Sequence, residues 1–214
     1  MIETIKTLFR GTRAYPVYRA IQLRKGLRDW KKSGRSTPLP PLEKQRMVRE
    51  YAGRFPALVF VETGTYFGDM VHAVKGIFAR IYSIELDGTL YDRAKKRFSR
   101  FSHISILHGD SNEILPGILR NVTQPCLFWL DAHYSGGITT KGRAETPIMQ
   151  ELHCILGHPV KGHVILIDDA RMFTGQNDYP TVREIEDLVR DSRPEWVFEV
   201  RDDIIRIHGR PPAA

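Results

Sequence analysis

Acidic residues stand at the ends of five apolar runs in this 214-residue chain. Each run has the length and composition of a buried β-strand, and the acid comes where the strand would end. Carboxylates at such places can hold the hydroxyls of a ribose, bind a divalent cation or accept a proton during catalysis. A single acid at a strand end is common as a helix cap. Acids at all five strand ends predict a functional site, and they are Glu62, Glu85, Asp110, Asp131 and the pair Asp168 and Asp169.

A glycine-containing turn follows the first of these runs. Glu62 is followed by Gly64, Thr65 and Gly68, where a helical pattern begins, and Glu85 comes 21 residues after Gly64. Glycines let the backbone approach a ligand closely, and the later acid can accept hydrogen bonds from ribose hydroxyls. The spacing therefore predicts a nucleotide cofactor site at the carboxyl edge of a sheet.

The strands and helices that must position these acids alternate along the chain. Apolar runs predict strands at 57–62, 80–85, 103–108, 126–131 and 163–168. Helical patterns predict helices at about 42–53, 68–79, 88–99, 112–120, 146–156 and 181–190. Such alternation is typical of an α/β protein with a doubly wound parallel sheet.

Local signals mark several ends of these elements. Thr181 and Glu184 fit a capping box at the last helix, and Thr146 with Pro147 fits the start of the helix before it. Two further strands, 196–200 and 204–208, flank a pair of aspartates and predict a terminal hairpin. With this hairpin the sheet has seven strands.

The net charge of +7 belongs to the first part of the chain. Residues 1–35 contain ten basic and two acidic residues, interleaved with apolar and aromatic ones, whereas the rest has 22 basic and 23 acidic residues. We expect residues 1–41 to form a basic helical appendage with a proline-rich linker, and 42–214 to form the catalytic domain. The appendage packs on the domain or lies on an anionic membrane surface; nucleic acid is a weaker candidate partner. The sequence also leaves room for a homo-oligomer.

Composition excludes some classes of protein. No apolar run approaches the ~20 residues that span a bilayer, and the first residues lack the apolar block of a secretory signal, so we expect a cytoplasmic protein. The two cysteines, Cys126 and Cys154, lie in apolar sequence, which favours reduced core thiols over a disulfide or a metal pair.

Residues 55–210 resemble the class I S-adenosylmethionine-dependent methyltransferases. Glu62, Gly64, Thr65 and Gly68 are similar to the family's first motif, which holds the methionine part of the cofactor, although Tyr66 stands where many members have a glycine. The resemblance implies a Rossmann-like seven-stranded sheet with a C-terminal antiparallel hairpin. It also implies that Glu85 binds the ribose hydroxyls and that Asp110 with Ser111 binds the adenine.

The second half resembles the metal-dependent sugar O-methyltransferases of the macrocin and aminocoumarin type. The resemblance implies that Asp131, Asp168 and Asp169 hold Mg²⁺ or another divalent cation. Such a cation would lower the pKa of an acceptor hydroxyl. The family's base is an acid two residues after the first of these ligands, where this chain has His133. His133 is therefore a candidate base, a fourth ligand or only a neighbour.

These features predict methyl transfer from S-adenosylmethionine to a hydroxyl of a small molecule, a sugar or another polyol, with divalent-metal assistance. His133 and Asp131 are the candidate catalytic residues. Three alternatives stay open: a hydroxylase on the same metal scaffold, a nicotinamide-dependent oxidoreductase, and a non-catalytic scaffold bound to a membrane or a partner. The glycine-rich segment 134–144, with Lys141 and Arg143, is typical of a substrate loop.

Overall fold

A computed structural model describes residues 15–35, 37–131 and 146–210. The helices are α1 Tyr15–Lys32, α2 Pro41–Arg54, α3 Asp69–Val74, α4 Gly88–Phe98, α5 Ser111–Leu119, α6 Ile148–Leu156 and α7 Val182–Ser192. The strands are β1 Val59–Thr63, β2 Arg80–Glu85, β3 Ile104–His108, β4 Cys126–Leu130, β5 Val164–Ile167, β6 Val197–Arg201 and β7 Ile204–His208. A short 3₁₀ helix spans Ala170–Met172.

The seven strands form one sheet in the order β3-β2-β1-β4-β5-β7-β6. The first five strands are mutually parallel, whereas β7 runs antiparallel to both β5 and β6. The strand order reverses between β1 and β4, which is where doubly wound sheets bind ligands at their carboxyl edge. The predicted sheet and terminal hairpin are confirmed.

Side chains of the central strands alternate between two apolar layers. Val61 and Phe128 contribute to the layer that contains α5, α6 and α7. Phe60, Leu127 and Trp129 contribute to the opposite layer, which contains α2 and α3. Successive strand residues point to opposite faces, so Glu62 lies on the α2 side of the sheet with Phe60. The same alternation carries Asp131 to that side as the chain leaves β4.

Helix α2 is fixed on the sheet by its buried face. Met47, Val48 and Tyr51 are buried in the layer beneath it. Helix α1 packs next to α2, and the Arg19 guanidinium forms an ion pair of 2.6 Å with Asp69 at the start of α3. Residues 15–32 are therefore a helix held against the domain, although Val17 and Ile21 are exposed.

Several predicted element ends shift in the structure. The capping box of Thr181 and Glu184 at α7 is confirmed. At α6 the N-cap is Pro147, one residue later than predicted, because Pro147 has non-helical torsions (φ −84°, ψ 0°). The helix predicted at 68–79 ends at Val74, just before Gly76, since glycine is a poor helix former.

Two expectations drawn from composition can be compared with the described residues. None of the described helices has both the length and the apolar character that a bilayer span requires. Both cysteines are free thiols, with Cys126 buried and Cys154 partly buried.

Two buried histidines connect β4, β5 and α5. The Cys126 backbone N–H donates to His163 Nδ1 at 3.0 Å, so that ring nitrogen carries no proton. His163 Nε2 lies 3.0 Å from His158 Nδ1, and His158 Nε2 lies 3.0 Å from the Leu119 carbonyl. Burial, with the nearby charges of His158 and Arg193, lowers the pKa of His163 to about 4.

This lowered pKa predicts a loss of stability in acid. Because the unfolded chain binds a proton at His163 more readily than the folded chain does, stability is complete above pH 6.5 and falls as the pH drops towards 4. The full shift corresponds to roughly 3–3.5 kcal/mol. In urea unfolding at pH 7.5 and pH 4.5, His163→Asn should lose less stability than the wild type does. The exposed His153→Asn is the matched control, and an equal loss in all three proteins would contradict the prediction.

Candidate functional site at the carboxyl edge of the sheet

The acids predicted at the strand ends are brought together where the strand order reverses. The Asp131 N–H donates to the Thr63 carbonyl at 3.0 Å, and the Asp168 N–H donates to the Leu130 carbonyl at 3.1 Å. These bonds continue the β1·β4 and β4·β5 pairings by one residue each. The acids after β4 and β5 are therefore neighbours, next to the turn that follows β1.

The turn after β1 is built on residues in the left-handed region. Gly64 and Gly68 have φ of 89° and 70°, and Tyr66 has φ of 50°. Glycine adopts such torsions at little cost, whereas a tyrosine there is strained. The backbone N–H groups of Gly64 and Thr65 both donate to the Ile84 carbonyl. The turn is thus attached to the end of β2.

Glu85, at the tip of β2, is oriented by backbone donors. Its Oε2 accepts from the Tyr66 N–H at 2.7 Å, and its Oε1 accepts from the Asp87 N–H at 2.9 Å. Burial raises the pKa of Glu85, and these backbone hydrogen bonds oppose the shift. Each carboxylate oxygen has a second acceptor site, so Glu85 can still accept two hydrogen bonds from a ribose diol.

Glu62 lies behind the turn. The Ser83 hydroxyl donates to Glu62 Oε2 at 2.5 Å, which leaves the Thr65 hydroxyl as the donor in its 2.6 Å contact with Ser83. Burial raises the pKa of Glu62 well above its ordinary value, with Asp131 and Glu85 adding to the effect. Glu62, Ser83 and Thr65 form a buried chain of hydrogen bonds that joins β1, β2 and the turn. The sequence analysis did not predict a role for Ser83. A polar residue inside the apolar run of β2 could have indicated one.

The predicted adenine-binding residues lie at the start of α5. Asp110 is the N-cap of this helix, with Oδ1 accepting from the Asn112 N–H at 2.9 Å. The Ser111 hydroxyl and the Asn112 side-chain oxygen are buried without a hydrogen-bond partner among the described residues. Buried polar atoms are rarely left unsatisfied in native proteins. The two atoms therefore fit a polar ligand at the tip of β3, as an adenine would require.

Arginines hold the turn from outside, a feature that the sequence did not reveal. Arg97 of α4 donates to the Phe67 carbonyl and lies 3.1 Å from Asp69. Arg19 of α1 binds the other oxygen of Asp69 and lies over the Phe67 ring, 5.5 Å from its centre. Helix α1 therefore contributes to the position of the turn.

The ammonium group of Lys44, from α2, contacts Asp168 and Asp169 and also feels the charge of Asp131. Lys44 Nζ donates to Asp168 Oδ2 and is 3.4 Å from Asp169 Oδ1. Burial lowers the pKa of Lys44, but the charges of Asp168, Asp131 and Asp169 outweigh burial and raise it overall. Burial raises the pKa of Asp168, Asp131 adds to the shift, and Lys44 opposes it.

A second cation lies on the solvent side of these acids. Arg171 donates to Asp169 Oδ1 at 2.8 Å and also binds Asp203 in the β6–β7 turn. Asp169 has φ of 56° and donates its N–H to Asp168 Oδ1 at 2.8 Å. The same oxygen of Asp169 thus faces two cationic side chains.

The donor set can be compared with the needs of a divalent cation. Within the described residues, no group of three or more histidine, cysteine, aspartate or glutamate side chains is arranged to hold a metal ion. The Lys44 ammonium contacts Asp168 and Asp169, and the charge of Asp131 acts on it as well. The arrangement as it stands does not fit Mg²⁺, and the predicted metal stays a prediction. His133 and the segment 134–144 lie outside the described residues.

Comparisons with known proteins identify the fold. No protein-family model matches the sequence, and no curated protein matches it. An O-methyltransferase, TomG from Streptomyces achromogenes, solved with SAM, matches with a TM-score of 0.58 and 16% identity, over 88% of this chain and 89% of that one. An O-methyltransferase from Bacillus cereus, solved with SAH, matches with 0.58 and 15%, over 88% and 90%. The SAH-bound methyltransferase PaMTH1 from Podospora anserina matches with 0.57 and 14%, over 93% and 97%.

These structures show that the chain has the Rossmann-like fold of the S-adenosylmethionine-dependent methyltransferases, as the motifs predicted. At such low identity the likeness concerns the fold alone. One fold can carry many activities, so function has to be argued from the residues at the carboxyl edge.

The turn after β1 requires a glycine at position 68, which can be tested by substitution. A Cβ atom there would lie 2.6 Å from the Phe98 ring, in a backbone conformation that side chains rarely adopt. Gly68→Ala should therefore lower the free energy of unfolding by about 1–3 kcal/mol. In Gly53→Ala, the matched control on α2, the new Cβ meets nothing within 4 Å, and this variant should be as stable as the wild type or slightly more so. Equal stabilities in urea unfolding would contradict this description of the turn.

Proposed function

We propose that this protein is an S-adenosylmethionine-dependent methyltransferase that methylates a hydroxyl of a small molecule, a sugar or another polyol. The observation that carries the proposal is Glu85 at the tip of β2, with its two oxygens oriented by the Tyr66 and Asp87 backbone N–H groups. The left-handed turn at Gly64 and Gly68 lies next to it. This is the arrangement that a nucleoside cofactor needs at the reversal of strand order.

Separate parts of the site would hold the parts of the cofactor. The turn after β1 offers backbone to the methionine portion, Glu85 offers two acceptor sites to the ribose, and Ser111 and Asn112 offer buried polar atoms to the adenine. The bound cofactor would supply an electrophilic methyl group on a sulfonium. What the protein adds is position and the exclusion of water, which contribute most of the rate in a displacement of this kind.

The side of the site formed by β4 and β5 would receive the acceptor. Asp131, Asp168 and Asp169 come from adjacent strand tips on this side. The carboxylate acceptor sites that Lys44 and Arg171 leave open on this side suit a ligand with several hydroxyl donors, which supports a sugar or polyol. TomG and the Bacillus cereus protein are described as O-methyltransferases, which agrees with oxygen as the methylated atom.

Two accounts of how the acceptor hydroxyl is activated remain open. The resemblance to metal-dependent sugar O-methyltransferases favours Mg²⁺ at the three aspartates, with His133 as the base. The contacts of Lys44 with Asp168 and Asp169 favour an ammonium group at the same place. The alternative activity of a nicotinamide-dependent oxidoreductase differs from methyl transfer in its cofactor, because it requires NAD.

Cofactor binding tests the proposal directly. The wild-type protein should bind S-adenosylhomocysteine in titration calorimetry, and Glu85→Ala should weaken binding by ~1.5–3 kcal/mol because two charge-assisted hydrogen bonds to the ribose are lost. Asp92→Asn on the exposed face of α4 is the control and should bind as the wild type does. Binding of NAD without binding of S-adenosylhomocysteine would refute the methyltransferase proposal.

The basic helix α1 supports a second proposal, peripheral contact with an anionic membrane. Its exposed apolar residues Val17 and Ile21 lie among six basic residues, Arg19, Arg24, Lys25, Arg28, Lys31 and Lys32. Apolar and cationic groups on one helix favour an anionic lipid surface.

Sedimentation with vesicles measures this contact. Binding should require anionic lipid and fall steeply with salt, because exposed charges are screened within about 8–10 Å at physiological ionic strength. The double substitution of Arg24 and Lys25 by glutamate should abolish it. Substituting Lys95 and Lys96 of α4 in the same way is the control. Equal binding to neutral and anionic vesicles would contradict the proposal.

A further inference from the structure

The Lys44 ammonium occupies the point where the acids after β4 and β5 converge. Its nitrogen donates a hydrogen bond to Asp168 Oδ2 and lies 3.4 Å from Asp169 Oδ1. The Lys44 side chain is 16% exposed and that of Asp168 is 1% exposed. A buried carboxylate without a nearby cation is strongly unfavourable in its ionised form, so this contact stabilises the ionised form of Asp168.

The fold places Lys44 at this point. Asp131 and Asp168 extend the alternation of β4 and β5 onto the α2 side of the sheet, where α2 covers the strand tips. Helix α2 is fixed by the buried Val48 and Tyr51, and the Gln45 side chain reaches the Asp69 carbonyl at 3.4 Å. Lys44 therefore projects from an anchored helix and cannot withdraw without moving that helix or exposing Asp168.

The remaining contacts leave little for a metal ion to use. Asp169 Oδ1 already accepts from Arg171, which is anchored to Asp203. A divalent cation would have to displace the Lys44 ammonium and share an oxygen with Arg171. Mg²⁺ requires near-octahedral oxygen ligands at about 2.0–2.1 Å, whereas Lys44 and Arg171 both lie at the Asp169 carboxylate here.

We propose that Lys44 is a built-in cation that takes the place of a divalent metal ion between Asp131, Asp168 and Asp169. The site then needs no metal, and Lys44 positions the acceptor hydroxyl. An ammonium has three donors, of which Asp168 and Asp169 receive two. Among the described residues, 15–35, 37–131 and 146–210, no acceptor bonds the third donor, which can therefore donate to a hydroxyl oxygen. The inference deepens the proposed function, because the acceptor side of the methyl-transfer site is the place concerned.

A metal-binding titration tests whether Lys44 takes the place of a metal ion, and it needs no acceptor substrate. The full chain is titrated with Mn²⁺ alone, and the bound fraction is followed by electron paramagnetic resonance. Lys44→Met keeps an apolar stem and removes the charge, so three mutually repelling carboxylates should then attract a divalent cation. We expect this variant to bind one Mn²⁺ at least about tenfold more tightly than the wild type does, a difference of about 1.4 kcal/mol.

Two further variants separate the role of the charge from general effects. Lys44→Arg restores a cation and should bind Mn²⁺ as weakly as the wild type. Arg46→Met removes a cation from the same helix, but Arg46 is 75% exposed and pairs only with Glu43 among the described residues, so it should also behave as the wild type. Adding Asp168→Asn to Lys44→Met should abolish the new site.

The outcomes are distinct. Tight binding of one Mn²⁺ by the wild type, lost in Asp168→Asn, would overturn the proposal and restore the metal. No gain in Lys44→Met, with circular dichroism showing a folded protein, would overturn it as well. S-adenosylhomocysteine binding is measured on the same samples. If none of the proteins binds it, the proposed methyltransferase function fails, while the Mn²⁺ result still decides the role of Lys44.

Discussion

The compensation of buried negative charge at the carboxyl edge is the constraint on which the rest of the site depends. Parallel strands end at one edge, so their terminal acids are forced together, and burial makes each charge expensive. Lys44 relieves this at Asp168 and Asp169, and Arg171 does so at Asp169 and Asp203. Because one cation comes from α2 and the other follows β5, charge balance also ties the first helix of the domain to its last strands.

At the ends of β1 and β2, the acids are stabilised by neutral hydrogen-bond donors and not by cations. Glu85 is held by two N–H groups, and Glu62 accepts from a hydroxyl that is itself bonded to Thr65. Hydrogen bonds from neutral donors keep a carboxylate oriented but leave its charge available to a ligand. Glu85 thus keeps acceptor capacity for a ligand, while Asp168 and Asp169 after β5 are bound to cations. This asymmetry follows from which element covers each strand tip.

The sequence predicts the strands and their tips well because both depend on local pattern. Apolar runs five residues long, an acid after each and a glycine turn are sufficient to place Glu62, Glu85, Asp110, Asp131 and Asp168 at one edge. Lys44 is 124 residues from Asp168 along the chain, and nothing local distinguishes it from the other basic residues around it. Only the register of the strands and the packing of α2 decide that Lys44, and not the exposed Arg46, meets the acids.

The backbone at Asp169 shows why contacts of this kind escape pattern reasoning. Its φ of 56° is costly for most residues but is tolerated by aspartate. This torsion turns the chain sharply after β5, so that the Asp169 N–H reaches Asp168 Oδ1 and both carboxylates stay within reach of Lys44. In a continuing strand, Asp169 would point to the opposite face, away from α2. Strained backbone of this kind persists only where surrounding contacts enforce it, and here Lys44 and Arg171 supply those contacts from two sides. The sequence therefore predicts a pair of acids at the end of β5. The direction of the Asp169 side chain, however, depends on its contacts with Lys44 and Arg171.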